Sequence, residues 1–256
     1  MAQASPFWGI AWVTGASSGL GYEFAKLLSA EAEHVVVSAR STDSLNNLAT
    51  NNANVTAFPV DVSDVDAIAA CVKKIEIVHG PIDLAVLNAG TWQLMDTADF
   101  DLKAVRQGIE VNYMGICNAL DAILPGMLSR GRGHISITAS VSGYRGLPGA
   151  IAYGPTKAAL INLAETLRLE LAPHGIVVSL VNPGFVDTPM TRSNPFPMPG
   201  LMPVALAANK MLAGLKRRKF EIVFPISFVL AMKLLRLLPD VGYFWFVRRF
   251  VMKKQV

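Results

Sequence analysis

The 256 residues are 52% hydrophobic and only 16% charged, against roughly 25% charge in an average soluble domain, which excludes a disordered chain and a small disulfide-stapled scaffold. The net charge of +4 hides an asymmetry: residues 1–215 carry 13 Lys+Arg against 17 Asp+Glu, and residues 216–256 carry 10 against 2, so a body of −4 bears a tail of +8. Because the tail is also apolar and aromatic, its charge suits an anionic surface such as a membrane, and no nucleic-acid partner is expected.

No run of 18 or more apolar residues occurs, so no membrane-spanning helix is expected. Cys71 and Cys117 lie in helical patterns without metal-ligand spacing and read as small buried hydrophobes; no metal site and a reducing compartment follow. Only Met1 to Pro6 precede the first apolar run, too few for a signal or transit peptide, so the expected location is cytoplasmic, with peripheral contact at a membrane surface.

In chain order, residues 7–14 read as a buried strand and 20–30 as a helix, joined by a glycine-rich turn. Short β-rich runs recur at 34–39, 55–60, 84–88, 134–138 and 177–181, separated by segments of helical period, with long helices over 111–130 and 153–172. Such alternation builds βαβ units and a parallel sheet. Residues 183–203 break the rhythm with six prolines among Met190, Phe196, Met198, Leu201 and Met202; they read as an irregular apolar loop, a lid or substrate wall near 184–203. Residues 220–224 supply a last strand. The expected architecture is therefore α/β and doubly wound, a central parallel sheet of about seven strands with helices on both faces. It comprises one domain over 1–225 and an apolar, basic helical arm over 226–256.

The turn after the first strand reads Thr14-Gly15-Ala16-Ser17-Ser18-Gly19-Leu20-Gly21. Glycines permit a tight turn and close backbone approach, and the helix that follows offers free N–H groups with partial positive charge, which is what a pyrophosphate needs. The spacing is Gly-x-x-x-Gly-x-Gly rather than Gly-x-Gly-x-x-Gly. Gly15 to Gly19 also satisfies the Gly-x-Ser-x-Gly of a nucleophile elbow. A hydrolase would need His and acid partners, and His34, His79, His134 and His174 stand in no such context.

This run resembles the glycine motif of the short-chain dehydrogenase/reductase family, and the likeness extends over about residues 8–190. Asp61-Val62 resembles the family's adenine contact. Asn88-Ala89-Gly90 resembles its sheet-stabilising element, with Leu87 where a second Asn is common. Asn112, Ser140, Tyr153 and Lys157 fall where the family keeps its catalytic tetrad, Tyr153-Gly154-Pro155-Thr156-Lys157 giving Tyr-x-x-x-Lys. Asn182-Pro183-Gly184 and Thr188 match the segment beside the nicotinamide. The resemblance implies a Rossmann-fold oxidoreductase, commonly a homodimer or homotetramer. Its cofactor would be held by Gly15, Ser17, Ser18, Gly19, Leu20, Gly21, Arg40, Asp61, Val62, Asn88, Ala89, Gly90, Tyr153, Lys157, Pro183, Gly184 and Thr188.

Reducing a ketone takes a hydride at carbon and a proton at oxygen, and the cofactor supplies only the hydride. A phenol is a weak acid, with an unperturbed pKa of about 10. Lys157 lies one helical turn beyond Tyr153; at ~5 Å and an effective dielectric of about 20 their attraction is on the order of 3 kcal/mol, a lowering of about two pKa units. By the resemblance, Lys157 also bonds the nicotinamide ribose, Ser140 holds the substrate oxygen, and Asn112 orders a water linking Lys157 to solvent. Pro155 falls in the first helical turn, where it is tolerated. The second strand ends Val37-Ser38-Ala39-Arg40-Ser41-Thr42: no carboxylate is present for a ribose 2′-hydroxyl, while Arg40 suits a 2′-phosphate, so NADP(H) is expected over NAD(H).

Beyond residue 225, residues 226–238 are apolar on nearly every side, with Lys233 and Arg236 three apart. Tyr243, Phe244, Trp245 and Phe246 follow, then Arg248, Arg249, Lys253 and Lys254. Rings beside cations suit a helix lying in a bilayer headgroup region; an arm covering the active site or an oligomer contact is the other reading, and the two are compatible. The expected activity is ketone–secondary alcohol interconversion on an apolar, lipid-like substrate. The alternative is a non-enzymatic NADP-binding protein anchored to a membrane or partner through its arm.

Overall fold

Seven short runs of Val, Ile, Leu and Ala lie side by side in one parallel sheet, because each is bounded by turn residues and followed by a helix long enough to carry the chain back. The computed structural model describes residues 6–252, so Lys253 and Lys254 of the basic tail lie outside the described residues. The first half runs β1 (Trp8–Thr14), α1 (Gly19–Leu28), β2 (Ala32–Ser38), α2 (Thr42–Asn51), β3 (Val55–Ala57), α3 (Val65–Val78) and β4 (Ile82–Leu87). Then come α4 (Leu102–Ile109), α5 (Gly115–Arg130), β5 (Gly133–Thr138), α6 (Gly154–Leu171) and β6 (Ile176–Pro183). The chain continues through β7 (Val186–Asp187), α7 (Pro189–Arg192), β8 (Met202–Pro203), α8 (Val204–Lys216), β9 (Glu221–Phe224), α9 (Ile226–Leu237) and α10 (Asp240–Phe246).

The strand order is β3-β2-β1-β4-β5-β6-β9, parallel throughout, with β7 and β8 forming a separate two-stranded pair. The winding reverses between β1 and β4, and the crevice beyond their C-terminal ends is the topological switch point where such sheets bind ligands. Successive strand residues serve opposite faces. Ile10 and Trp12 join the cluster under α3, α5, α6 and α9, whereas Ala11 and Val13 join the cluster under α1, α2 and α8. The expected doubly wound α/β fold with seven strands is what the chain adopts.

Three details differ from the sequence reading. Strand β3 stops at Ala57 because Pro59 has no N–H for a ladder, although Val60 N still donates to Ala39 O at 3.1 Å. The helix expected over 111–130 begins instead as a π-turn, Glu110–Met114, that carries Asn112 into α5. The proline-rich segment is not irregular throughout: β7 and β8 pinch its ends together, and α7 is closed by a reciprocal cap between Thr188 and Thr191.

His134 on β5 is buried, 4% exposed. Ser179 Oγ donates its one proton to Lys219 O at 2.7 Å, so across the 2.9 Å contact with His134 it accepts, and Nε2 carries the imidazole proton. Burial, with Arg218 and Arg168 adding to it, pushes this imidazole down to about 4. Its folded-state value lies below its unfolded one, so as pH falls from about 6.5 to 4 the unfolded chain takes up a proton that the native state refuses, and stability drops. The loss should reach about 3 kcal/mol by the bottom of that window. Urea midpoints at pH 7 and pH 4.5 should differ markedly for the parent and less for His134→Gln; identical differences in the two proteins would assign the loss to other groups.

Candidate active site

The turn after β1 is shaped by what it must approach. Gly15 has φ +67°, and a Cβ there would lie 2.7 Å from Ala89 Cα; a Cβ on Gly21 would lie 2.3 Å from Gly15 O and 2.6 Å from Asn88 Nδ2. The segment after β4 is thereby pressed against the turn after β1. Thr14 Oγ1 accepts from Asn88 N (3.0 Å) and Ala89 N (3.2 Å), and Asn88 Nδ2 donates to Gly15 O (3.4 Å). The exposed Ser18 precedes α1 without capping it by its side chain, so the N–H groups of Gly19, Leu20 and Gly21 have no partner within the helix. Thr188 faces the turn, its Cγ2 3.1 Å from where a Cβ on Gly19 would stand.

These features fit a dinucleotide: free N–H groups at a helix start for a pyrophosphate, a backbone cradle that side chains would fill, and the exposed Arg40 just past β2. Asp61 is held by Ser63, whose N and Oγ both donate to Oδ1; these bonds, with Arg40 contributing, keep its carboxyl below the usual range. Val62 is buried, its carbonyl accepting from Asn118 Nδ2 at 3.0 Å. His34, His79 and His134 are engaged with Thr56, one another and Ser179, and none stands with Ser17 as a nucleophile elbow would require.

The four tetrad positions converge at the C-terminal end of β5. Asn112, fully buried, accepts the Thr91 N–H (2.7 Å) and donates to Thr91 O (3.1 Å) and Thr156 Oγ1 (3.1 Å). Both amide protons are committed to protein groups, which leaves the second lone pair of Oδ1 for the water that the resemblance implies. Thr156 Oγ1 in turn donates to Tyr153 O (2.7 Å), tying the start of α6 to the π-turn. Pro155 sits in the first turn of α6, as expected. Lys157, 3% exposed, donates from Nζ to Thr138 O at 2.9 Å and lies 5.4 Å from the Tyr153 ring centroid. Gly143 admits this packing, since a Cβ there would be 2.6 Å from the Lys157 carbonyl carbon.

The sequence argument has Lys157 lowering the phenol. Burial reverses that: desolvation pushes Tyr153 up to about 12, with the Ser140 hydroxyl bond pulling the other way, and pushes Lys157 down to about 8. Removing water from both groups penalises both charges.

Above Tyr153 and Ser140 opens a cavity of about 640 Å³. The loop over 184–203 forms one wall through Phe185, Met190 and Phe196, and the arm forms another through Phe228, Met232 and Phe246. The lining is mostly apolar: on the loop, Thr191 Oγ1 donates to Val186 O and Asn194 Oδ1 accepts from Trp92 Nε1, whereas the buried Oγ of Ser142, beside Ser140, has no partner among the described residues. Trp92 stands edge-on to Tyr153 at 5.1 Å and donates from Nε1 to Asn194 Oδ1 at 2.9 Å, linking the phenol to the loop. Trp92, Ser142 and Asn194 carry no sequence signal of their own; only the fold brings them to the tyrosine.

The arm is fastened by a residue the sequence reading passed over. Arg145 Nη1 donates to the carbonyls of Leu235 (3.3 Å), Arg236 (3.2 Å) and Leu238 (2.6 Å), closing the end of α9, and Nη2 pairs with Asp240. Its guanidinium lies 4.0 Å over Tyr243, whose hydroxyl donates to Gly146 O at 2.6 Å. Tyr243, expected among membrane-facing rings, is buried instead, and Lys233 is paired with Glu221.

A family model described as short chain dehydrogenase matches residues 9–196. An uncharacterized oxidoreductase of Myxococcus xanthus (strain DK1622) is 36% identical over 234 residues, 90% of this chain and 92% of that protein. A short-chain dehydrogenase from Streptomyces avermitilis superposes with a TM-score of 0.80 at 26% identity, covering 98% of this chain and 97% of that one. A short chain dehydrogenase/reductase from Burkholderia phymatum, solved in complex with NAD, gives 0.81 at 23% identity over 90% and 94%, a likeness of fold alone.

Because Arg145 holds the arm through several charge-assisted bonds, Arg145→Ala should cost about 2 kcal/mol. Trypsin should then cut at Arg236 and Arg248 well before the rest of the chain. An arm that stays as resistant as in the parent would show that apolar packing alone fastens it.

Proposed function

The chain belongs to the short-chain dehydrogenase family of oxidoreductases, and on that premise we propose that it reduces ketones of apolar, lipid-like molecules to secondary alcohols with NADP(H). The observation that carries the reading is that Tyr153 and Ser140 line a mostly apolar cavity whose loop-side polar residues, Thr191 and Asn194, are bonded to protein partners. A substrate entering it meets the phenol and the serine hydroxyl for a carbonyl oxygen and a long apolar wall for the rest.

When bound, the reduced nicotinamide supplies the hydride. Ser140 Oγ holds the carbonyl oxygen beside the phenol, and Tyr153 donates its proton as negative charge develops there. A phenol kept protonated by burial is in the form that reduction uses, and a nascent alkoxide is a strong enough base to take its proton. The Lys157 ammonium then favours the phenolate left behind, at a distance where low dielectric strengthens the attraction. In this reading Gly15, Gly19 and Gly21 cradle the pyrophosphate, Asp61 and Val62 border the adenine, and Asn88 to Gly90 with Pro183, Gly184 and Thr188 border the nicotinamide half. The assembly is a homodimer or homotetramer, with the arm over 226–256 in peripheral contact with a membrane.

The NADP(H) preference rests on Arg40 and on the lack of a carboxylate at the end of β2. Arg40→Ala should weaken NADPH binding about tenfold or more while leaving NADH almost unchanged; equal loss for both would remove the 2′-phosphate contact. Following NADPH oxidation over ketones of increasing chain length tests the activity itself. Turnover should rise with chain length, and Tyr153→Phe should lower kcat by roughly 10² to 10⁴ with NADPH binding retained. Full activity in that variant would sink the proton-donor role.

A further inference from the structure

Ten of the 24 exposed large apolar side chains among the described residues fall within 226–252, a concentration that scattered surface hydrophobes would not give. In α9, Ile226, Leu230, Leu234 and Leu237 recur at helical spacing along the outer face, while Val229 and Met232 are buried on the inner one. Val241 (84% exposed), Phe244 and Trp245 continue the outer surface along α10. The same short helix turns Phe246 toward the cavity, and Phe250 beyond it both lines the cavity and is exposed. The arm therefore carries exposed apolar side chains and cavity-lining ones on the same helices, with Arg236, Asp240, Arg248 and Arg249 set among them.

The charges around this surface choose its partner. The only two acids of residues 216–256 are Glu221 and Asp240, and both are neutralised, by Lys233 and Arg145. Arg236, Arg248 and Arg249 are exposed, and no ion pair among the described residues engages them. Two copies meeting arm to arm would bring one net-positive patch against itself, since a two-fold contact uses the same patch on both subunits. An anionic bilayer instead takes leucines, rings and arginines together, each in its preferred layer.

We propose that the outer face of α9 and α10 docks on an anionic bilayer and that the apolar substrate passes between bilayer and cavity along the arm. This rests on the catalytic reading above for the identity of the cavity, but the docking surface is testable without turnover. The full chain is mixed with vesicles of phosphatidylcholine alone, or with one third phosphatidylserine, and the bound fraction is read by flotation. Binding should require phosphatidylserine and weaken with salt. Arg248→Glu with Arg249→Glu should lower partitioning about thirtyfold or more. Leu230→Glu with Leu234→Glu and Leu237→Glu should lower it at least about tenfold, with melting temperature and reduction of a small water-soluble ketone unchanged.

Tyr153→Phe should bind vesicles like the parent; a parent chain that turns over no ketone yet still binds vesicles would refute the reductase reading while leaving the docking surface intact. Failure of the intact chain to bind either vesicle overturns the proposal. So does a drop in solution mass in the triple leucine variant with vesicle binding untouched, because the face would then be an interface between copies.

Discussion

A charged amine removed from water governs the architecture of the site. Lys157 Nζ has three donors, and among the described residues Thr138 O is its one hydrogen-bond acceptor. Burying an ammonium so sparsely paired costs several kcal/mol, which is why its proton is held less tightly than usual. Its neighbours are arranged to leave the amine open. A Cβ on Gly90 would stand 3.6 Å from Nζ and 3.3 Å from Asn112 Oδ1, so a side chain at that position would cover the group. The π-turn sets Asn112 beside it, and single-turn π segments often mark functional positions in helices. In the proposed reading the free donors await a ribose and the phenolate.

Glu221 ties the remaining parts together. Burial alone would raise its carboxyl, but bonds from Lys233, Tyr144 and Asn182 outweigh that and hold it below its usual range. Tyr144 donates at 2.6 Å and Asn182 at 2.9 Å. Tyr144 belongs to the segment joining Ser140 to Tyr153, Asn182 to the end of β6, and Lys233 to the arm. One carboxylate at the edge of the sheet thus couples the segment after Ser140, the end of β6 and the cavity wall. Arg145 and Tyr243 make a second fastening from the same segment, so displacing the arm disturbs the turn that positions Ser140.

The fold was legible because its signals are local. Short continuous apolar runs, glycine turns and helical stretches follow one another in order, and the sheet needs little more. The convergence of the four proposed tetrad positions was legible for a related reason: Tyr153 and Lys157 are one helical turn apart, and Asn112 and Ser140 stand at element ends that the topology brings toward them. What escaped is what depends on distance through space. A lone Trp92 or Arg145 looks like any surface or core residue until the chain folds it against Tyr153 or the end of α9. The phenol's acidity was misjudged because a charge-pair argument sees the partner but not the water that burial removes. In the arm, helical period showed apolar residues on all sides but not which side is covered. Tyr243 turns inward and the half-exposed Lys233 pairs with Glu221, while Phe244, Trp245 and Arg236 stay outside.

The arm's two apolar faces make energetic sense only when taken with the cavity. A lipid-like ketone leaving a bilayer through water loses about 0.8 kcal/mol for each methylene exposed, so a chain of about ten methylenes would meet a barrier on the order of 8 kcal/mol before reaching any protein. A polar outer surface on α9 would impose that barrier on every turnover, and a fully buried one would leave no contact with the donor phase. On the proposed route, leucines outside, phenylalanines lining the cavity and arginines free to meet headgroups would shorten the substrate's passage through water.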